Sequence, residues 1–145
     1  MNYVKTGGVL LVQYNTNKNI GKVTTKIFPY NFEISRTRVT DENAKVNFLQ
    51  PKHALLNYPN KISEADFDNW IQERSTYEAE KTGENFQHIF SMNDAGEKQS
   101  NGSLIVADYG KGRLIYCGLS FFRQLPAGVP GAFRLMANLL ARPVK

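Results

Sequence analysis

The chain has 145 residues, the size of one ordinary domain, and its 41% hydrophobic and 12% aromatic content supplies a core and excludes wholesale disorder. The formal net charge is +5, from 18 basic and 13 acidic residues, but the excess is scattered over Lys18, Lys22, Lys26, Arg36, Arg38, Lys111 and Arg113 rather than gathered into a nucleic-acid-binding run. The single cysteine, Cys117, excludes an internal disulfide, and no signal peptide or membrane span is visible.

In chain order, Met1–Lys5 reads as the end of a helix stopped by Gly7 or Gly8. Gly8–Tyr14 is a continuous apolar run, the pattern of a strand covered on both faces. Asn15–Lys26 is a polar loop, with a short strand expected in Val23–Phe28. Phe32–Val39 alternates in part, as a half-buried strand does, and Val46–Leu49 is a second short apolar piece. Pro51 and Pro59 confine His53–Tyr58 to a turn or one helical turn.

Ser63 with Glu64 and Asp66 makes a good helix start, and Ile62, Phe67, Trp70 and Ile71 supply an apolar stripe, so a helix is expected from Ser63 to about Arg74. Glu80–Asn85 is a solvated loop, His88–Met92 a short strand, and Asn93–Gly102 a turn-rich connection. Leu104–Ala107 and Arg113–Leu119 form a hairpin through Gly110-Lys111-Gly112. Pro130–Ala141 is the last helix, with Phe133, Leu135, Met136, Leu139 and Leu140 as its apolar face and Pro130 in the first turn. Strand, turn, strand, loop and helix close many open α/β sheets, where ligands bind beyond the carboxyl ends of strands.

Recognisable chemistry is sparse. His53 and His88 are far apart and in no metal-ligand spacing, so no metal is expected. No Gly-x-Ser-x-Gly elbow is present, and Cys117 lies inside an apolar strand, where a thiol acts as a small hydrophobe. Gly110-Lys111-Gly112 is a hairpin turn rather than a phosphate loop. Three polar groups remain. Arg36 and Arg38, at i and i+2, can clamp an anion, or pair with Asp41, Glu42 or Glu73. Arg123 and Gln124 stand among Phe121, Phe122, Pro126 and Pro130, the makings of a sugar or small-molecule platform or of a loop pinned by its aromatics. Trp70 and Arg74, at i and i+4, share a face of the expected helix, Trp70 most simply as core.

The segments GGVLLVQYNT, FEISRTRVTDENAKVNFL, NKISEADFDNWIQER, SMNDAGEK and GSLIVADYGKGRLIYCGLSFFRQLPAGVPGAFRLMANLL resemble the C-terminal region of large bacterial PIG-L (LmbE-like) deacetylase proteins. The resemblance covers essentially the whole chain and is most specific in the last segment. It implies a flavodoxin-like or class I glutamine-amidotransferase-like α/β sheet with flanking helices, lacking its first strands: a single domain over 1–145 from the C-terminal part of a longer protein. The His-Pro-Asp-Asp zinc motif of the family's deacetylase domain is absent, so that activity does not carry over. The amidotransferase cysteine is missing from Gln13-Tyr14-Asn15-Thr16, and its histidine from Gly118-Leu119-Ser120.

The expected function is a non-catalytic, carbohydrate-related accessory module. It would bind a carbohydrate or other small molecule, or the deacetylase domain of the same parent, through Asn15, Arg36, Arg38, Asp41, Glu42, Arg74, Arg123 and Gln124, with no cofactor and no nucleic acid. Two alternatives stand beside it: a hydrolase built on Asp41, Glu42, Glu73 or Asp94, and an oligomerisation module pairing through an open sheet edge. The compartment stays open, an extracytoplasmic parent included.

Overall fold

The structure is a computed structural model, which describes residues 1–16 and 27–141 and the backbone of 23–24. It is a mixed α/β fold. In chain order come α1 (Asn2–Lys5), β1 (Val9–Gln13), β2 (Val23–Thr24), β3 (Glu33–Ile34) and β4 (Asn47–Phe48). Two 3-10 turns follow, at Ala54–Leu56 and Glu64–Phe67, then β5 (Ala79–Glu80), β6 (Gln87–His88) and β7 (Phe90–Ser91). The last part holds β8 (Leu104–Tyr109), β9 (Gly112–Cys117), α2 (Phe121–Gln124) and α3 (Pro130–Leu140).

The main sheet has four strands in the order β1-β9-β8-β6, with β1 parallel to β9 and the other pairs antiparallel. Two small sheets, β2-β3-β5 and β4-β7, flank it. Period-two alternation in the hairpin serves both faces. Leu104, Val106, Ile115 and Cys117 enter one core with Phe67, Trp70, Phe90 and α3's Leu135 and Leu139. Ile105, Ala107, Leu114 and Tyr116 enter the other with Val4, Phe32, Ile34 and Phe86. Burial on both faces explains the unbroken apolar runs of β8 and β9. Gly110, at φ +61°, makes the two-residue turn, as the sequence predicts. β1 differs from its expectation: it lies at the sheet edge, and Val9–Val12 are half-buried rather than fully covered.

The stretch Phe32–Val39 forms a strand only over Glu33–Ile34, with a single further bridge at Val39, and His88–Met92 is divided between β6 and β7. The helix expected from Ser63 to Arg74 does not form. Its start is as read: the Ser63 N–H donates to Asp66 Oδ2 at 2.9 Å and one 3-10 turn follows. Beyond Phe67, side chains capture the groups a helix would use. The Trp70 indole Nε1 donates to the Asp66 carbonyl at 3.0 Å, and Arg74 Nη1 donates to the Phe67 carbonyl at 2.5 Å. The Ile71 N–H goes to Gln124 Oε1 at 2.8 Å. Asn69 and Gln72 adopt positive φ, which breaks the helical path.

Helix α3 forms where expected, with Pro130 in its first turn; of its expected apolar face Leu135 and Leu139 are buried, whereas Phe133 and Leu140 are exposed. Gly131 lets it approach the Glu64–Phe67 turn, since a Cβ there would lie 1.8 Å from the Asp66 carbonyl oxygen. Arg134 Nε pairs with Asp66 Oδ1 at 2.6 Å. Asn138, fully buried, donates to the Leu55 and Asn60 carbonyls at 2.9 and 2.7 Å and accepts from the Asn60 N–H. No helix among the described residues is long and apolar enough to cross a membrane.

Candidate functional site

The parallel strands β1 and β9 end side by side at Gln13 and Cys117. Tyr14 and Asn15 follow the first; the second leads through Gly118–Ser120 into α2. The Tyr14 ring lies 4.8 Å from the Phe122 ring and 5.9 Å from the Tyr77 ring, with Tyr14 and Tyr77 stacked within 10° of parallel. All three are partly accessible, Phe122 38% exposed. The Arg123 guanidinium lies over the Phe122 ring, 5.0 Å from its centroid, and Nε donates to Glu73 Oε1 at 2.8 Å. Asn15, exposed at the rim, donates its backbone N–H to the Tyr116 hydroxyl at 3.5 Å, and that hydroxyl donates to the Tyr77 carbonyl at 2.6 Å.

Tyr77 is held at φ +51°, a conformation a bulky residue rarely takes unless its surroundings impose it. Its ring is thereby presented to Tyr14. The Arg74–Glu78 segment is fixed on both sides: Ser75 bridges Val39 and Leu119, and Glu78 is buried. Glu78 Oε1 accepts from the Ser75 hydroxyl at 2.5 Å and Oε2 from the Gly102 N–H at 3.3 Å. Burial pushes this carboxyl above its ordinary pKa, with the charge of Glu80 adding to the push, although Ser75, Ser100 and Gly102 act against it.

Glu78 and Glu80 also border a hollow of about 360 Å³ closed on the far side by Lys98–Gly102. There Glu80 Oε1 accepts from the Thr37 hydroxyl at 2.5 Å. A smaller hollow of about 240 Å³ lies between Asn43–Val46 and Phe67, Asp68 and Arg74.

The residues named from the sequence fall into four places. Asn15 directly follows Tyr14, and Arg123 lies over the Phe122 ring. Arg36 and Arg38 are exposed; Arg38 pairs with Glu97 at 3.1 Å, rather than with Asp41, Glu42 or Glu73. That hydrogen bond and charge hold its pKa above the ordinary value. Asp41, exposed, and Glu42, half-buried, lie within the electrostatic reach of Arg74. Arg74 itself is buried: Nε donates to the Ala44 carbonyl at 3.1 Å, and its guanidinium faces the Phe67 and Trp70 rings. Burial lowers its pKa against the pull of Asp41, Asp68 and Glu42. Gln124, fully buried, is spent on the loop, donating to the Ile71 and Glu73 carbonyls and accepting from the Ile71 N–H. Phe121 is likewise fully buried, so of the aromatics named beside Arg123 only Phe122 faces out.

Asp94 serves structure. Burial opposes its ionisation, but the Asp41 N–H, the Thr40 hydroxyl and N–H, and Arg38 outweigh burial and lower its pKa. The Cys117 thiol, fully buried, is pushed up to about 12, that of an inert side chain.

Tyr14 and Tyr77 are what sequence reasoning missed. The place of Tyr14, directly after a parallel strand, is a signal that could have found it. For Tyr77 the sequence holds none, because its backbone conformation is set by contacts distant in the chain.

No family model, curated protein or solved structure matches this chain.

Proposed function

We propose that this chain is a non-catalytic ligand-binding module that takes a carbohydrate on the aromatic face formed by Tyr14, Tyr77 and Phe122. The observation that carries the reading is Tyr77, held at φ +51° with its ring parallel to that of Tyr14 at the carboxyl end of a parallel strand pair. Rings fixed by the backbone, with Phe122 tilted 48° to Tyr14, offer an apolar surface at low entropic cost, suited to the C–H face of a sugar ring. Asn15 and the Arg123–Glu73 pair rim that surface with donors and acceptors for hydroxyl groups. The resemblance to the C-terminal region of PIG-L-type proteins supports an accessory place beside a deacetylase domain, on a flavodoxin- or amidotransferase-like sheet.

A screen of glycans and metabolites against the wild type and Arg123→Ala tests this. A saccharide that binds the wild type and binds the variant more weakly supports the reading. If neither chain binds anything, the reading fails.

The hydrolase reading draws on Glu78 and Glu80, which border one hollow, rather than on the Asp41, Glu42, Glu73 or Asp94 named from the sequence. A carboxyl of raised pKa beside a second carboxylate is the pattern of an acid–base pair. Glu78, however, is fully buried with both oxygens engaged, which favours a structural role. Turnover of aryl glycosides by the wild type, lost in Glu80→Gln, would reverse that preference.

A further inference from the structure

We propose that two copies of this chain associate two-fold through the open edge of β1 and the outer flank of α3. The inference is independent of the ligand reading.

At the edge, the Arg113 N–H donates to the Gly8 carbonyl. Alternation along a parallel ladder then turns the peptide groups of Leu10 and Val12 toward β9 and those of Val9 and Leu11 outward. No described residue pairs with that outer edge. Val9–Gln13 contains no lysine, proline or bulge, the devices by which edge strands avoid pairing.

Above the edge, α3 lies over β1 and against the two 3-10 turns. Arg134 and Asn138 face those turns. At 100° per residue, Phe133, Met136 and Leu140 fall on the opposite flank, away from those turns. Phe133 is 51% and Leu140 59% exposed, while Met136 bridges toward the cluster that Val9 and Leu11 join. A strand edge and an apolar helix flank therefore open in the same direction.

A second copy fits both at once. Antiparallel pairing centred on Leu11 sets Leu11 against its counterpart and Val9 against Gln13, so residues of one face stay on that face. The same rotation brings each α3 beside the other, with Phe133, Met136 and Leu140 between them. The strand is uncharged, as are these three side chains. Nothing in the patch opposes its own image, although the chain as a whole carries +5. Strand and flank together bury on the order of 1,000 Å² over both copies, the lower bound for a specific interface.

Light scattering on the eluting chain over rising concentration tests this. The wild type is expected to pass from 16.4 kDa to twice that mass. The double variant Phe133→Glu/Leu140→Glu, at two exposed positions, is expected to weaken dimerisation about a hundredfold with an unchanged circular dichroism spectrum. In the wild type, the Val9 and Leu11 amides are expected to exchange about tenfold more slowly in the concentrated sample. A wild type that stays monomeric at every concentration overturns the proposal. So does a double variant as dimeric as the wild type, or exchange at Val9 and Leu11 that ignores concentration. Should the variant not fold, the exchange measurement on the wild type decides.

Discussion

Glu78 is the residue at which burial and charge conflict most plainly. Its folded pKa lies above that of the unfolded chain, so the folded state keeps the proton to higher pH. Stability from this group is therefore greatest below the ordinary carboxylate range and falls as pH rises through the raised folded value. Glu78→Gln removes that titration. Thermal melts of both chains across this window are expected to show the wild type losing stability relative to the variant as pH rises; a constant difference would mean Glu78 does not titrate there. Arg74 makes a second case. Arg74→Met keeps the bulk against Phe67 and Trp70 but orphans the Ala44 and Phe67 carbonyls, so denaturant unfolding should report a loss of about 2–4 kcal/mol. At this scale the sequence showed which residues were unusual but not what they touched. Arg38 finds Glu97, and Gln124 finds Ile71 and Glu73 about fifty positions away. Those partners are fixed by tertiary packing, which local pattern does not encode.

Elements were legible where local chemistry and packing agree. The β8–β9 hairpin has apolar alternation and a glycine turn, and α3 has a first-turn proline and a core stripe; both form as read. The Ser63–Arg74 segment carries equally good helix signals and stops after one turn, because Trp70, Arg74 and Gln124 compete for its backbone groups. Propensity is a weak prior against such partners. Gly131 reverses the usual propensity rule. In an exposed helix, Gly→Ala gains up to about 1 kcal/mol. Here the new methyl meets the Asp66 carbonyl, so Gly131→Ala should lower the melting temperature and loosen Arg134 from Asp66. A melting temperature at or above that of the wild type would show that α3 can shift without cost.

For the whole molecule, the main sheet places its ligand face by topology. One parallel pair, β1 with β9, gives the sheet a carboxyl end where two strands finish together, and Tyr14, Asn15 and α2 gather there. The sequence located this region through the Gly102–Leu140 stretch and named Asn15, Phe122 and Arg123. It did not join them, because the link runs through Tyr14 and through Tyr77 from a segment between strands. Removing one ring of the aromatic face, in Tyr14→Ala or Phe122→Ala, is expected to weaken saccharide binding about tenfold while the fold is kept. The most direct measurement is an amide and aromatic NMR titration of the wild type with a saccharide found by screening. The expected result is shifts centred on Tyr14, Asn15, Tyr77, Phe122 and Arg123, with the Thr37–Glu80–Asn101 hollow unmoved. Shifts confined to that hollow, or none at saturating saccharide, would contradict the account.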